Sequence, residues 1–489
     1  QEMRPPMKKN SMFQYLYNSI LAQIRAGRYA CGSPLPSAPE LCRMYNVGIR
    51  TSRDVLRALR DDGYISTAER RRAVVVRAED PGGGTRQKLA EAVARKESVP
   101  EIYDVLELLM PPLFLFCARQ CGDDDFYVLD PLIKKADRAR GEESWRLSSL
   151  VLHAILKKSG NPLLGDLYSS LELSAQVPRA DGFKHPYDAL REDDGRGFCW
   201  VMEPLRRRDY GTAEARLRLM YRSARAYAES YIAKIEAANP DIRPREREKF
   251  HWNVAKGRIY LYAEIARDII DGIAVGRWND GDLLPSSKEL ASDYGVSLYV
   301  VRQALEMLRG RGFVSIRNGC RPRVELSCVG KDISRFSEPN QKRDIWVYLC
   351  ALQLMTAMLP HAAPLAARRF TDGQRRRMRE VLSERGTVVP RTFMKCIFEA
   401  LPGEPLRDIF NETNSLLLWG NHLMFQPAAR AGLDFIEDKC AQALCALDGG
   451  SESEFAELLT ETYRYSLYRL REFIAAAGMP EAGKIKIPS

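Results

Sequence analysis

Three arginines stand at a spacing that could bring their guanidinium groups to one polyanionic surface. Arg50, Arg53 and Arg57 occupy positions i, i+3 and i+7, so a helix would place them on one face. Guanidinium groups in such a row can pair with phosphates or form two parallel hydrogen bonds with a guanine edge in a major groove. A solvated helix face looks the same in isolation, so the neighbouring elements decide between the two interpretations.

A capping pattern and a turn pattern lie directly before the arginines. Ser37 and Glu40 have the spacing of a capping box, in which Ser accepts from the N3 backbone N–H and Glu reaches back to the N-cap. A helix is therefore predicted to start there and to end near Asn46, a residue type suited to the left-handed C′ position. The next helix is predicted to begin at Gly48, which gives the elements of a helix-turn-helix.

A hairpin is predicted after the arginine-bearing helix. Residues 64–67 and 73–76 are β-prone runs that follow Gly63. The tip between them carries three consecutive arginines, residues 70–72, which could approach a minor groove or its phosphates. The segment is thus predicted to form helices followed by a basic wing.

The whole segment occurs twice in the chain without a gap. Arg53 recurs as Arg302, 249 positions later, together with most of the apolar residues around it. The second copy also repeats the capping box, at Ser286 and Glu289, and has Gly295 at the predicted left-handed C′ position. The second copy presents Tyr299, Arg302 and Glu306 where the first presents its three arginines, so the two copies are expected to read different bases. The candidate DNA-contacting residues are Ser37, Arg50, Thr51, Arg53, Arg57, Arg70, Arg71 and Arg72 in the first copy and Ser286, Lys288, Ser297, Tyr299, Arg302, Arg317, Gly319 and Arg321 in the second.

The charge distribution also points to a polyanionic partner. The chain has a net charge of +10 and a pI near 9.0, which favours nucleic acid only weakly. Residues 11–78 contain eleven arginines against five acidic residues, whereas the matching stretch 260–326 is close to balanced. The first copy is therefore expected to attract DNA more strongly without regard to base sequence.

Both copies resemble the winged helix-turn-helix domain of the GntR family of bacterial transcription regulators. The second copy carries the family's Leu-Pro-Ser triplet at residues 284–286, its Val-Ser pair at residues 296–297 and a wing glycine at Gly319. It departs from the family at Leu298, where the family has a DNA-contacting Arg, and at Arg321, where the family has a second wing glycine. The first copy has no wing glycine. The resemblance implies a double-stranded DNA operator as the partner.

The expected fold class is mainly α, with two winged helix-turn-helix domains alternating with two all-helical bundle domains. A chain of 489 residues is long enough for three or four domains, and the stretches 79–84, 239–249 and 330–342 have linker composition. The predicted DNA-binding domains are residues 1–80 and 250–328, and the predicted helical effector or dimerisation-type domains are residues 86–238 and 340–478.

The cysteines and the apolar segments favour a cytoplasmic location. Eleven cysteines are scattered without a Cys-x-x-Cys pair, which is typical of reduced thiols. The most apolar stretch, residues 347–367, is interrupted by Gln353, Pro360, His361 and Pro364, so it is predicted to be a buried helix rather than a membrane span. No membrane partner is expected.

The first helical domain contains two candidate effector-binding residues, His153 and Asn161. Their surroundings, Leu-His-Ala-Ile-Leu at 152–156 and Ser-Gly-Asn-Pro at 159–162, are similar to a signature of the helical effector domain in the fatty-acid-responsive subfamily of GntR regulators. The resemblance implies that the helical domains bind a small-molecule effector. The alternative that one or both of them serve only in assembly stays open.

The same resemblance bears on metal and on ligand charge. Many relatives bind a divalent metal through an Asp, the His at the position of His153 and two later His. Ser149 stands at the Asp position and no later His lies near Tyr221, so no metal and no other cofactor is expected. Relatives also carry an Arg that pairs with a ligand carboxylate, and Leu106 occupies that place here. The effector is therefore expected to be apolar or neutral.

These observations predict a cytoplasmic bacterial transcription regulator, not an enzyme, in which one chain supplies two unlike DNA readers. An intramolecular pseudo-dimer is expected by analogy with dimers of single-unit relatives, and a further homodimer stays open. A reader fused to a pyridoxal-phosphate enzyme would need a long α/β region, which the second copy excludes. A DNA-binding scaffold or nucleoid-type protein without an effector is the alternative, and a footprint on a defined sequence separates it from a regulator.

Overall fold

The structure is a computed structural model, and the fold is mainly helical, as the sequence predicts. It describes residues 12–25, 29, 31–45, 47–68, 71–76, 85–188, 196–243, 249–252, 254, 261–274, 276–310, 312–317, 319–326, 339–384, 388–417 and 432–488. The chain divides after residue 258 into two compact units, residues 8–258 and residues 259–489. The predicted linker at 79–84, parts of those at 239–249 and 330–342, Asn46 and Arg70 lie outside the described residues.

The first unit begins with three helices and a two-stranded antiparallel hairpin. Its elements are α1 (Met12–Arg25), α2 (Ala38–Tyr45), α3 (Ile49–Asp61), β1 (Ile65–Ser66) and β2 (Val74–Val75). In the hairpin, Ile65 lies opposite Val75 and Ser66 opposite Val74. The strands are shorter than the predicted β-prone runs, but the order of elements and the start of α3 directly after Gly48 are as predicted.

The core of these elements fixes which side of α3 faces solvent. Leu16, Ile20 and Ile24 recur every four residues along α1 and are fully buried, and Val55 and Leu59 of α3 pack into the same cluster. Burying each side chain of this size contributes about 1.5 to 3 kcal/mol. Because Val55 and Leu59 occupy one side of α3, its arginine-bearing side lies outside the core.

The described remainder of the first unit is helical. Its helices are α4 (Thr85–Ala94), α5 (Ser98–Ala118), α6 (Asp123–Arg138), α7 (Gly141–Lys157), α8 (Pro162–Ser174), α9 (Phe198–Arg206) and α10 (Tyr210–Ala238). The longest of them, α10, packs along α5. Apolar residues of α5 are buried along nearly its whole length, from Val99 to Cys117, which explains its central position.

The second unit begins with the same arrangement as the first. Its elements are α11 (Leu261–Ala274), α12 (Ser287–Asp293), α13 (Leu298–Gly310), β3 (Val314–Ser315) and β4 (Arg323–Val324). The Gly32 N–H donates to the Val75 carbonyl at 2.8 Å, and the Gly281 N–H donates to the Val324 carbonyl at 2.9 Å. Both glycines have a positive φ, 84° and 91°, which other residues rarely adopt. The sequence repeat is thus also a repeat of backbone hydrogen bonds.

A second group of helices completes this unit. It consists of α14 (Pro339–Ala367), α15 (Asp372–Glu384), α16 (Val388–Ala400), α17 (Glu404–Leu417), α18 (Leu433–Asp448) and α19 (Glu452–Ala476), followed by a short 3-10 helix, Pro480–Lys484. Residues 342–367 of α14 form a helix long and apolar enough to cross a membrane, but 72% of its most apolar window is buried inside the protein. This agrees with the predicted buried helix, and α19 is its main packing partner.

Candidate nucleic-acid interface and ligand pocket

The exposed side of α3 carries the predicted arginines. The side chain of Arg50 is 96% exposed, and Arg53 and Arg57 are also exposed. Asp54 lies between them, with its Oδ1 3.0 Å from Nη1 of Arg57 and its Oδ2 4.0 Å from Nε of Arg50. Within the described part of the chain, Arg53 has no side-chain partner. Its guanidinium group therefore needs to break no ion pair to contact DNA.

The corresponding side of α13 is less basic. Arg302 is exposed and, among the described residues, has no side-chain partner, like Arg53. Tyr299 is 68% exposed, and its hydroxyl accepts a hydrogen bond from Gln303 at 3.0 Å. Glu306 binds Arg309, with 2.9 Å between Arg309 Nε and Glu306 Oε2. Each helix thus has an arginine without a described side-chain partner at the same position, and the residues on either side of that arginine differ between the two helices.

Two capping boxes hold the helices that precede α3 and α13. The Ser37 N–H donates to Glu40 Oε2 at 2.7 Å, and the Ser286 N–H donates to Glu289 Oε2 at 2.6 Å. In return, the Glu40 and Glu289 N–H groups donate to the serine hydroxyls at 3.4 and 3.3 Å. Both predicted boxes are confirmed. The left-handed residue predicted after α12 is also confirmed, because Gly295 has a φ of 62°.

The hairpin arginines Arg72 and Arg321 form ion pairs that the sequence analysis did not predict. Nη2 of Arg72 lies 2.9 Å from Oε1 of Glu40, and Nη2 of Arg321 lies 2.5 Å from Oε2 of Glu289. Each arginine thus ties its hairpin to the capping residue of the preceding helix. The sequence does contain a signal for these ion pairs, because Glu40 and Arg72 both recur 249 positions later, as Glu289 and Arg321. DNA contact by these two arginines stays a prediction, and their ion pairs add a role in positioning the hairpin.

The hydrogen bond from Arg321 also changes the acidity of its partner. Together with the hydrogen bonds from Ser286, it lowers the pKa of Glu289 from 4.5 to about 2. Glu289 is therefore ionised at any physiological pH, and the ion pair persists.

The other predicted contact residues are mostly on the surface. Thr51 is half-buried, and the hydroxyls of Ser37 and Ser286 take part in capping. The exposed members of the predicted set are Arg71, Lys288, Ser297, Arg317 and Gly319. Arg70 lies outside the described residues. The structure thus leaves surface available around both helices for a large polyanion.

A separate pocket lies among the helices of the first unit. Its volume is about 170 Å³, and it is lined by residues from α5, α7, α8, α9 and α10. Leu106 forms part of the wall. Six aromatic side chains among the described residues also line it: Tyr103, Trp145, Tyr168, Tyr187, Phe198 and Tyr221. The pocket is therefore largely apolar and aromatic.

Glu172 is the acidic residue of this pocket, and it is only 7% exposed. Its Oε2 accepts a hydrogen bond from the Ser149 hydroxyl at 2.8 Å. Nε2 of His153 lies 3.5 Å from the same oxygen, which is longer than an ordinary hydrogen bond. No Lys or Arg forms an ion pair with Glu172 within the described residues. Glu172 could not be predicted as a pocket residue, because the sequence of α8 does not distinguish it from Asp166, the other acidic residue of this helix.

The tyrosines around Glu172 are held in the neutral form. Burial, and then the charge of Glu172, raise the pKa of Tyr168 and of Tyr221 well above the ordinary value of 10.0. The hydroxyl of Tyr221 is buried beside Tyr168 and makes no hydrogen bond of good geometry in the described part of the chain. It therefore has hydrogen-bonding capacity left for a group that enters the pocket.

The two predicted effector-binding residues are not on the wall of the pocket. His153 lies behind it, where its ring contacts Tyr168 with 4.9 Å between ring centroids. Asn161 caps α8, and its side chain accepts from the Leu163 N–H at 2.9 Å. In the structure Asn161 stabilises the start of a helix, and His153 packs against Tyr168, which lines the pocket. Effector binding by His153 or Asn161 stays a prediction.

In the second unit, α11 is attached to the neighbouring helices by charged groups. Nη2 of Arg391, on α16, lies 2.5 Å from Oδ2 of Asp271. Nη1 of Arg267 donates to the Ser415 carbonyl, at the end of α17, at 3.1 Å. The first copy has Asn18 and Ala22 at the positions of Arg267 and Asp271. These contacts are therefore specific to the second copy.

Both repeated segments match one known protein family. Residues 14–75 and residues 261–324 match the model of the bacterial regulatory proteins of the gntR family. The predicted resemblance of both copies to this family is confirmed. The matched segments make up about a quarter of the chain, and they contain α3 and α13.

Relatives of known name match over short stretches. The HTH-type transcriptional regulator TreR of Bacillus subtilis (strain 168) is 39% identical over 57 residues, 12% of this chain and 24% of TreR. The Exu regulon transcriptional regulator of Escherichia coli (strain K12) is 39% identical over 59 residues, 12% of this chain and 23% of that protein. The chain thus spans about a quarter of the length of these relatives.

Among solved structures, a Streptococcus agalactiae GntR protein aligns with 42% of this chain and 99% of its own, at 17% identity and a TM-score of 0.20. E. coli McbR/YncC aligns with 44% of this chain and 98% of its own, at 19% identity and a TM-score of 0.24. TM-scores this low do not establish a shared arrangement.

Proposed function

We propose that this protein is a cytoplasmic transcription regulator that binds specific double-stranded DNA through α3 and α13. The observation that carries the proposal is the pair of exposed arginines, Arg53 and Arg302, at the same position of two helices. Each helix is held by its own core and followed by a hairpin. An exposed guanidinium group without an internal partner is available for bidentate hydrogen bonding to guanine. The gntR matches over both segments support the same assignment.

In the proposed layout, a winged helix-turn-helix domain followed by a helical domain occurs twice along the chain. The DNA-binding domains are residues 1–80 and 250–328, and the helical domains are residues 86–238 and 340–478. The repeated capping boxes, glycine hydrogen bonds and wing ion pairs support an origin by tandem duplication. After duplication, one chain supplies two readers that can diverge from each other.

The two readers are proposed to recognise unlike half-sites. Arg53 is flanked by Arg50 and Arg57, whereas Arg302 is flanked by Tyr299 and the acidic Glu306. A carboxylate near the groove repels phosphate and can accept from a cytosine amino group, while arginines favour phosphate and guanine. A DNA site with two identical half-sites therefore cannot suit both helices equally.

The helical domain of the first unit is proposed to bind a small-molecule effector that adjusts DNA binding. The support is a pocket lined by aromatic residues, with the buried carboxylate of Glu172 and the buried hydroxyl of Tyr221 in its wall. Pockets of this kind, apolar with few polar groups, are typical of small-molecule sites.

A protection experiment tests the proposal against the scaffold alternative. The full-length protein is mixed with a random-sequence DNA pool, and the retained fragments are sequenced and footprinted in the presence of excess unrelated DNA. A regulator protects a defined sequence under these conditions. A scaffold or nucleoid-type protein retains all sequences alike, loses them together as salt is raised, and gives no footprint.

A further inference from the structure

The charge of the pocket in the first unit selects the chemical class of its occupant. Glu172 brings a carboxylate into a cavity whose other walls are mainly aromatic and apolar. Within the described residues, no Lys or Arg forms an ion pair with this carboxylate, and the imidazole of His153, 3.5 Å away, would be a counter-ion only in its protonated form. A buried carboxylate without a close cation is costly, because desolvation opposes its charge. A cationic group in the cavity would remove that cost.

We propose that this pocket binds a small organic cation, a protonated amine attached to an apolar or aromatic body. The amine would donate hydrogen bonds to the carboxylate of Glu172 and to the buried hydroxyl oxygen of Tyr221. An apolar or neutral ligand, as expected from the sequence, would leave the carboxylate uncompensated. The role of such a ligand as an effector rests on the proposed function, whereas its binding does not.

The aromatic walls favour the same class of ligand. Faces of Tyr and Trp rings attract ammonium groups, and the attraction grows when the site is shielded from water. Trp145 and Tyr187 stack at the pocket with 5.9 Å between ring centroids, and Tyr103 and Tyr168 are buried beside Glu172. A carboxylate surrounded by electron-rich rings is a recurring arrangement for binding ammonium groups.

The same walls disfavour an organic acid. Leu106 offers only apolar contact in the wall of the pocket, and an anion here would face Glu172 directly. Arg196, a cationic residue of the lining, is exposed and lies over the ring of Trp200, 5.1 Å from its centroid. Among the described residues it forms no ion pair with Glu172.

The size of the pocket limits the ligand to a small molecule. Its volume of about 170 Å³ is below the roughly 300 to 1,000 Å³ of pockets that hold drug-sized ligands. Suitable probes are therefore 2-phenylethylamine and two matched molecules of similar size, 2-phenylethanol and phenylacetate. They share an aromatic body and differ in whether the head group is cationic, neutral or anionic.

Calorimetric titration of the full-length protein with the three probes tests the proposal. We expect 2-phenylethylamine to bind at least about tenfold more tightly than either matched molecule. The Glu172→Gln variant should lose this preference. Glu203→Gln, which removes an exposed carboxylate of α9, is the matched control and should keep it. Thermal unfolding curves establish that both variants are folded, and Trp145→Leu provides a second variant that should weaken amine binding by removing a ring face.

Tighter binding of phenylacetate, equal binding of all three probes, failure of the amine to bind, or an unchanged preference in Glu172→Gln would overturn the proposal. DNA retention of the same samples separates this result from the proposed function. Amine binding without any specific DNA binding would leave the ligand class standing and refute the regulator. Specific DNA binding without amine binding would leave the regulator standing and refute the ligand class. Amine binding that leaves DNA affinity unchanged would refute only the effector role.

Discussion

Arg53 and Arg302 occupy the same position in the two copies of the repeated segment, on α3 and on α13. Both are exposed and, among the described residues, lack a side-chain partner. Arg57, in contrast, shares Asp54 with Arg50. An arginine that is already paired must give up its ion pair before it contacts DNA. Arg53 and Arg302 do not, so the free-energy cost of their contact with DNA is lower.

Replacing either residue by alanine should weaken specific DNA binding. We expect Arg53→Ala and Arg302→Ala each to cost about 1 to 3 kcal/mol on a selected sequence, because a bidentate base contact is lost. Arg60→Ala is the matched control, since Arg60 is exposed at the end of α3 and pairs with Asp61 at 2.7 Å. Affinities measured at one salt concentration provide the test. If both variants bind as tightly as the parent protein, α3 and α13 do not read DNA.

The pair Glu289 and Arg321 predicts a pH dependence of folding stability. Because the folded-state pKa of Glu289 is lowered from 4.5 to about 2, its contribution is fully present above the unfolded pKa and is lost as the pH falls through about 2. Arg321→Ala should remove this contribution. The difference in urea unfolding midpoint between parent and variant should be constant near neutral pH and should shrink between about pH 4.5 and about pH 2.

Arg317→Ala is the control for that measurement. Arg317 is exposed in the same hairpin and forms no side-chain ion pair within the described residues. Its removal should leave the pH dependence of the parent protein unchanged. If the urea unfolding midpoints of the parent protein and of Arg321→Ala differ by the same amount at every pH, the role assigned to the ion pair is contradicted.

At the scale of elements, α11 is connected to the helices that follow it, and this connection is specific to the second copy. Asp271 pairs with Arg391 on α16, and Arg267 donates to a carbonyl at the end of α17. The corresponding residues of α1 are Asn18 and Ala22, which cannot form these contacts. These contacts join α11 directly to α16 and α17.

Removing this contact should loosen α11. We expect Arg391→Met to reduce stability by about 1 kcal/mol, because the pair is only partly buried, and to increase amide hydrogen exchange in α11. Arg379→Met is the control, since the pair of Arg379 with Asp448 is more exposed and joins α15 to α18 without involving α11. Unchanged exchange in α11 in the Arg391 variant would show that other contacts hold this helix.

The sequence predicts those parts of the fold that depend on local chemistry. Ser37 with Glu40, and the left-handed Gly295, mark helix ends, because capping and positive φ are properties of a few neighbouring residues. The ion pair of Arg72 with Glu40 joins residues 32 positions apart, and that of Arg391 with Asp271 joins residues 120 positions apart. Helical periodicity contains no information on such pairs. The role of Glu172 was missed for the same reason, since only packing brings it among aromatic rings.

At the scale of the whole molecule, the central claim is that one chain carries two DNA readers with unlike preferences. The two units are each compact, and each contains one gntR-type segment. The first segment is strongly basic and the second is close to neutral. The first reader should therefore supply more of the salt-dependent affinity, and the second should contribute more through its particular bases.

The most direct test is selection of DNA from a random pool by the full-length protein, repeated with Arg53→Ala and with Arg302→Ala. We predict a site with two unlike half-sites, and each variant should relax the base preference in one half-site and keep it in the other. A symmetric palindrome in which both variants relax the same positions equally would contradict the account.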